Sequence, residues 1–213
     1  MRRLFGTLAA MFLIASTTPS VSAEIILQNT GGTAGTLTEF FGSSFTTPTG
    51  GPFDNITFNF YANIPATTPS AAGTAFLLTK EYLGSASALS TSTAGFLAES
   101  TGISGGEFVF ASSVVLQANT QYFLYGNAAL TSSGGNTFPG SAAYFANSST
   151  DNFAMATVPG TNNPQASNFL LGGTTMATVP EPSSIVITGI GLLASLGAWR
   201  RSRRSTRVSV VRA

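Results

Sequence analysis

Two pairs of carboxylates are the residues with which this chain could hydrolyse a bond. Glu99 with Glu107, or Asp54 with Asp151, could serve as acid and base on a glycosidic linkage, their separation setting the stereochemical outcome. Their spacing favours neither pair, and so few acids read as solubilising surface. Glu81 beside Lys80 reads as a solvated strand face. Asp54-Asn55 and Asp151-Asn152 also offer oxygens suited to calcium, the one metal this composition brings into view. No Asp-x-Asp-x-Asp-Gly loop accompanies them, and Asp and Asn near strand starts commonly cap turn amides. No cofactor is therefore expected. Five tyrosines, Tyr61, Tyr82, Tyr122, Tyr125 and Tyr144, alternate with apolar neighbours and could stack on sugar rings if exposed. The chain has no Cys and no His, which removes disulfides, thiol or Ser-His nucleophiles and most transition-metal sites. A non-enzymatic protein is the expectation.

The elements that would position these residues are strands. Phe53 to Tyr61 alternates, with Ile56, Phe58 and Phe60 on one face and Asn55, Thr57 and Asn59 on the other. Ala75 to Leu83, Glu107 to Phe110 (with Ser113 to Leu116 extending it after a bulge) and Gln121 to Tyr125 are further runs. Shorter candidates are Ile25 to Gln28, Glu39 to Phe45, Phe96 to Glu99, Ala142 to Ala146, Asn152 to Ala156 and Ser167 to Leu171. Turn-forming clusters at 47–52, 64–73, 102–106, 132–135 and 159–164 separate them. Thr and Ser are abundant, but seventeen Phe argue against disorder. The pattern predicts an all-β fold, an antiparallel β-sandwich of jelly-roll-like type.

Charge divides the chain. All eight arginines lie at its two ends; between Glu24 and Met176, one base against seven acids gives a formal charge of −6. Nucleic acid is a poor partner for such a surface. At the N-terminus, Arg2-Arg3 precedes an apolar stretch from Leu4 to Ile14, and Val21-Ser22-Ala23 supplies small residues before Glu24. Residues 1–23 read as a secretory signal peptide cleaved between Ala23 and Glu24.

At the other end, Val179-Pro180-Glu181-Pro182-Ser183 forms a stiff, exposed segment, because proline fixes its own backbone and extends its predecessor. An uncharged run follows, predicted as a single transmembrane helix over about 184–199. Fifteen residues of helix reach roughly 22 Å, and Ser183, Ser184 and snorkelling arginines make up part of the distance to a bilayer core of about 30 Å. Trp199 is placed as an interface anchor. Arg200, Arg201, Arg203 and Arg204 then hold the helix with its C-terminus on the cytoplasmic side. The domains expected are 1–23, an extracellular sandwich over 24–176, the tail signal over 177–204 and a basic cytoplasmic tail over 205–213.

This order of Pro180-Glu181-Pro182-Ser183, apolar helix and arginine cluster resembles the PEP-CTERM sorting signal of bacterial surface proteins. The resemblance implies recognition by exosortase, a membrane-embedded transpeptidase-like enzyme, and cleavage near the motif. It also implies an exported precursor held in the membrane, then a mature protein at the cell surface or in the extracellular matrix, with biofilm exopolysaccharide as a partner. The extra segment Ser205 to Ala213 departs from the usual ending. Within the middle, Ser44-Phe45-Thr46-Thr47, Ala75-Phe76-Leu77-Leu78 and Leu116-Gln117-Ala118-Asn119-Thr120-Gln121-Tyr122 are similar to surface-protein β domains known by their varied anchors. Those domains bring no established catalytic chemistry. The expected function is a non-enzymatic matrix or cell-surface component. The alternative is a carbohydrate-binding module using exposed tyrosines.

Overall fold

Two antiparallel sheets, built on three long strands, make up the described part of the chain. The computed structural model describes residues 24–32, 36–63 and 67–176, without the side chains of residues 36 and 37. The expected signal peptide (1–23), sorting motif, transmembrane segment and basic tail lie outside these residues. Among the described residues no helix is long and apolar enough to cross a membrane.

The strands are β1 (Glu24–Asn29), β2 (Thr36–Thr46), β3 (Phe53–Tyr61), β4 (Pro69–Ser70), β5 (Ala75–Leu78), β6 (Phe96–Glu99), β7 (Gly102–Ser104), β8 (Glu107–Val109), β9 (Gln121–Asn136), β10 (Ala143–Ala146), β11 (Ala154–Met155), β12 (Ala166–Ser167) and β13 (Phe169–Thr175). One sheet has the order β1-β13-β3-β8-β7, with β4 also on β3. The other has the order β11-β10-β2-β9-β5-β6, with β12 also on β9. A single 3-10 turn, Ala86–Ala88, is the only helical element among the described residues. The fold is all-β, as the alternation and turn spacing predict.

The alternation in β3 sends Ile56, Phe58 and Phe60 inward, where they meet Phe41 and Phe45 of β2, Tyr122 and Leu124 of β9, and Phe169 and Leu171 of β13. Rings interlock both across the gap between the sheets and between neighbouring strands. Phe45 stacks on Phe58 at 5.6 Å, Phe58 on Phe169 at 5.4 Å, and Phe41 meets Phe60 at 5.9 Å. Full burial of each such ring stabilises by about 1.5–3 kcal/mol. With no disulfide available, this shared core and the ladders on either side of it hold the domain.

A second apolar cluster lies on the opposite face of the β2/β9/β5 sheet. Phe76, Leu78, Phe123, Tyr125 and Tyr144 face away from the first core and are covered by Ala86, Leu89 and Phe153. The covering segments are stitched together by backbone: Ser87 N–H donates to Ser149 C=O at 2.8 Å and Phe153 N–H to Gly84 C=O at 3.0 Å. This sheet is therefore buried on both faces. That explains why β5 (Ala-Phe-Leu-Leu) and the start of β9 are apolar without alternation.

Several sequence boundaries differ. β9 runs straight through the predicted turn at 132–135, because Ser132 to Asn136 pair with β2 and β12 and their small side chains allow the close approach. The predicted run Ala75 to Leu83 ends at Leu78, where the chain leaves the sheet to cover it. Lys80 and Glu81 thus lie beyond the strand rather than on its face. Gly102–Ser104, expected as a turn, is strand β7, and the turn is confined to Gly105-Gly106, both with positive φ. Ser113 to Leu116 adds no strand; only an isolated bridge, Leu116 to Phe53, forms there.

Candidate functional site

The predicted carboxylate pairs are not brought into one cleft. Glu99 is exposed on β6 in one sheet, and Glu107 is half-buried on β8 in the other. Glu107 is instead a structural acceptor: Asn59 Nδ2 donates to its Oε1 at 2.9 Å. Asn59 is 1% exposed and its Oδ1 has no hydrogen-bond partner among the described residues. Burial, and then the neighbouring Glu107 carboxylate, push the Tyr61 hydroxyl above its ordinary range.

Asp54 sits on β3 and Asp151 in the connection between β10 and β11 of the other sheet. Asp54 Oδ1 accepts from the Thr174 hydroxyl and from Asn55 Nδ2, which also donates to Thr174 Oγ1 at 2.9 Å. Asn55 has φ 49°, an Asn-tolerant left-handed conformation, next to the shift in register between β3 and β13. Asp54 and Asn55 therefore clamp a bulge. Asp151 is exposed, and its N–H donates to Ser148. Among the described residues no three acids converge as metal ligands. Of the residues expected at processing and orienting sites, Glu24 is the first residue of β1, paired with Gly173; Ala23, Val179 to Ser183 and Arg200 to Arg204 are outside the described residues.

The tyrosines correct the expectation of an exposed sugar-stacking platform. Tyr61, Tyr122, Tyr125 and Tyr144 are all buried, and only Tyr82 is half-exposed. Several hydroxyls hold structural hydrogen bonds. Tyr122 accepts from Gln117 N–H at 2.8 Å, and Tyr125 accepts from Tyr82 N–H at 3.1 Å. The Tyr82 hydroxyl donates to Ser85 C=O at 2.9 Å. Burial above all raises the Tyr125 and Tyr144 hydroxyls far beyond the usual tyrosine range, with the Glu81 carboxylate adding to the effect on both. For Tyr82, Tyr125 and Tyr144 the physical reason is the second core, where loops cover the outer face of the sheet; Tyr122 lies in the first core.

A groove of about 530 Å³ does open elsewhere, in a region carrying none of the predicted site residues except Tyr144 in its lining. One wall is the turn from Thr137 to Ala142. The bridge between Phe138 and Ser141 closes this turn, and Ser141 Oγ, donating to Ser44 C=O at 2.7 Å, ties it to β2. Phe138 rests edge-on against Phe169 at 6.0 Å. The other wall is a bonded hairpin, in which Val158 N–H donates to Asn163 C=O and Gln165 N–H to Ala156 C=O. Asn163, Pro164 and Met155 line the groove on that side, and Gln121 enters at the start of β9. Among the described residues no charged one lines it. The side chains of Gln121, Thr137 and Asn163 make no hydrogen bond within the described structure. Sequence reading passed over these residues because they fall in turns and at a strand end, far apart along the chain.

No protein-family model matches this chain, no curated protein matches it, and no solved structure matches it.

Proposed function

We propose that this protein is an exported bacterial surface or matrix component without catalytic activity, carried out by its signal peptide and sorted through its C-terminal tail. The observation that carries the reading is the order of three features in the tail: Pro180-Glu181-Pro182, an uncharged helix-length run, then Arg200, Arg201, Arg203 and Arg204. Each feature has a separate physical role, namely an exposed recognition segment, a span and an orienting charge. In this reading an exosortase recognises Pro180, Glu181 and Pro182 beside the membrane and cleaves near them. The mature domain then remains at the surface or enters an exopolysaccharide matrix.

In this reading the domain is a jelly-roll-like β-sandwich, a type suited by the strand orders β1-β13-β3-β8 in one sheet and β2-β9-β5-β6 in the other. It is held by aromatic packing and a cysteine-free core, which needs no particular redox compartment. The test is the intact mass of protein recovered from its native cell surface, beside a Glu181→Ala variant. The expected mature form begins near Glu24 and ends near the Pro-Glu-Pro motif, and the variant retains its tail. A mass running from Met1 or Glu24 through Ala213 in both proteins would overturn the sorting proposal.

A further inference from the structure

We infer that the groove between the Thr137–Ala142 turn and the Met155–Pro164 hairpin is a binding site for an uncharged oligosaccharide. Four features of the site point to that chemistry. Its volume of about 530 Å³ falls within the range of small-molecule sites, roughly 300–1,000 Å³. Its walls are fixed by backbone and side-chain bonds of their own, so little ordering is needed when a ligand enters. Two carboxamides and a hydroxyl, from Gln121, Asn163 and Thr137, reach the groove with no partner among the described residues. Carboxamides donate and accept at once, which matches ligand hydroxyls, groups that do the same.

The fourth feature is what accompanies those polar groups. Phe138, Met155 and Pro164 supply apolar surface, and Met155 is 45% exposed. Such surface suits the C–H faces of sugar rings, while an extended hydrocarbon ligand would leave the carboxamides unpaired at a cost. Among the described residues the lining carries no cation to hold a phosphate, sulfate or uronate, and the domain around it is formally acidic. Anionic polymers are thus disfavoured twice, by the lack of a partner and by long-range repulsion. The site is not the tyrosine platform that the sequence implies; it uses amides and a turn instead. The inference rests on the surface-protein reading only for the source of the glycan. Binding is tested on the protein itself, so it stands or falls separately from tail cleavage.

The experiment is titration of the full chain, purified in a non-glycosidic detergent, with cellotetraose, laminaritetraose and maltotetraose, and with tetragalacturonate as the charged counterpart. At least one neutral tetrasaccharide is expected to bind with a Kd below about 1 mM, and tetragalacturonate at least tenfold more weakly. Side-chain amide resonances of Gln121 and Asn163 are expected to shift on addition of the neutral probe. Gln121→Ala and Asn163→Ala are each expected to weaken binding roughly tenfold. Both residues are exposed, so their thermal unfolding is expected to match the parent. Leu83→Ala, at an exposed position outside the groove, is expected to leave binding unchanged. The proposal is overturned if no neutral tetrasaccharide binds by 1 mM, if tetragalacturonate binds as tightly, or if both carboxamide variants bind like the parent.

Discussion

At the scale of single residues, polar groups in this domain are mostly committed to holding it together. Tyr125 lies over Gly42, so closely that a Cβ there would run into the ring. Gly42→Ala is expected to destabilise by about 1–3 kcal/mol through overpacking, measurable by urea unfolding; an unchanged midpoint would show that the ring moves aside freely. The buried Tyr125 and Tyr144 hydroxyls give a pH dependence of known sign. Their folded pKa values are raised above the ordinary 10.0, so their stabilising contribution is complete below pH 10. Above pH 10 the unfolded chain loses protons that the folded chain keeps, and stability falls. Unfolding followed against pH is expected to weaken from about pH 10 upward on this account, and absorbance should show these two tyrosines ionising only as the domain unfolds. Their titration in the folded state near pH 10 would contradict the burial argument. Glu107 is a third case. Glu107→Leu strands the buried Asn59 carboxamide and is expected to cost about 1–3 kcal/mol. Glu107→Gln keeps an acceptor and should cost clearly less, and equal losses would argue against this role.

At the scale of elements, the central finding is that one sheet is covered on both faces. β3 alternates from Ile56 to Phe58 and is then buried through Tyr61, while β5 and the start of β9 do not alternate at all, since their outer faces lie beneath the loops around Leu89 and Phe153. Phe153 is 2% exposed and meets Tyr125 at 4.9 Å and Tyr82 at 6.2 Å. Phe153→Ala is expected to cost about 3–5 kcal/mol and to expose the outer sheet face, detectable by unfolding and by dye binding. A loss below 1 kcal/mol would mean the covering loops are ornamental. The continuous apolar runs Ala75 to Leu78 and Tyr122 to Tyr125 were the available signal of a two-sided strand. Read as ordinary half-buried strands, they left the tyrosines apparently free to face solvent.

At the scale of the whole molecule, charge has little part in stability. One lysine serves the entire domain from Glu24 to Met176, so ion-pair networks have almost no cations to build with. Unfolding midpoints are therefore expected to change by less than about 0.5 kcal/mol equivalent between low salt and about 0.5 M NaCl. A larger loss of stability with salt would reveal electrostatic support that the fold does not suggest. The same scarcity leaves the groove neutral, which is the basis of its proposed preference for uncharged glycans.

Residue types and their periodicity alone determined that the domain is all-β. They also excluded thiol, histidine and disulfide chemistry, and located Ile56, Phe58 and Phe60 in the core. These properties are local: a strand's alternation and an absent side chain need no partner to be read. Only the tertiary structure decided which tyrosines are covered, that Asp54-Asn55 clamps a bulge, and that Glu107 supports Asn59. It alone brought Gln121, Phe138, Met155 and Asn163 around one groove. Burial and convergence depend on contacts between segments distant in the chain, and periodicity reports one face of one strand without saying what lies across it.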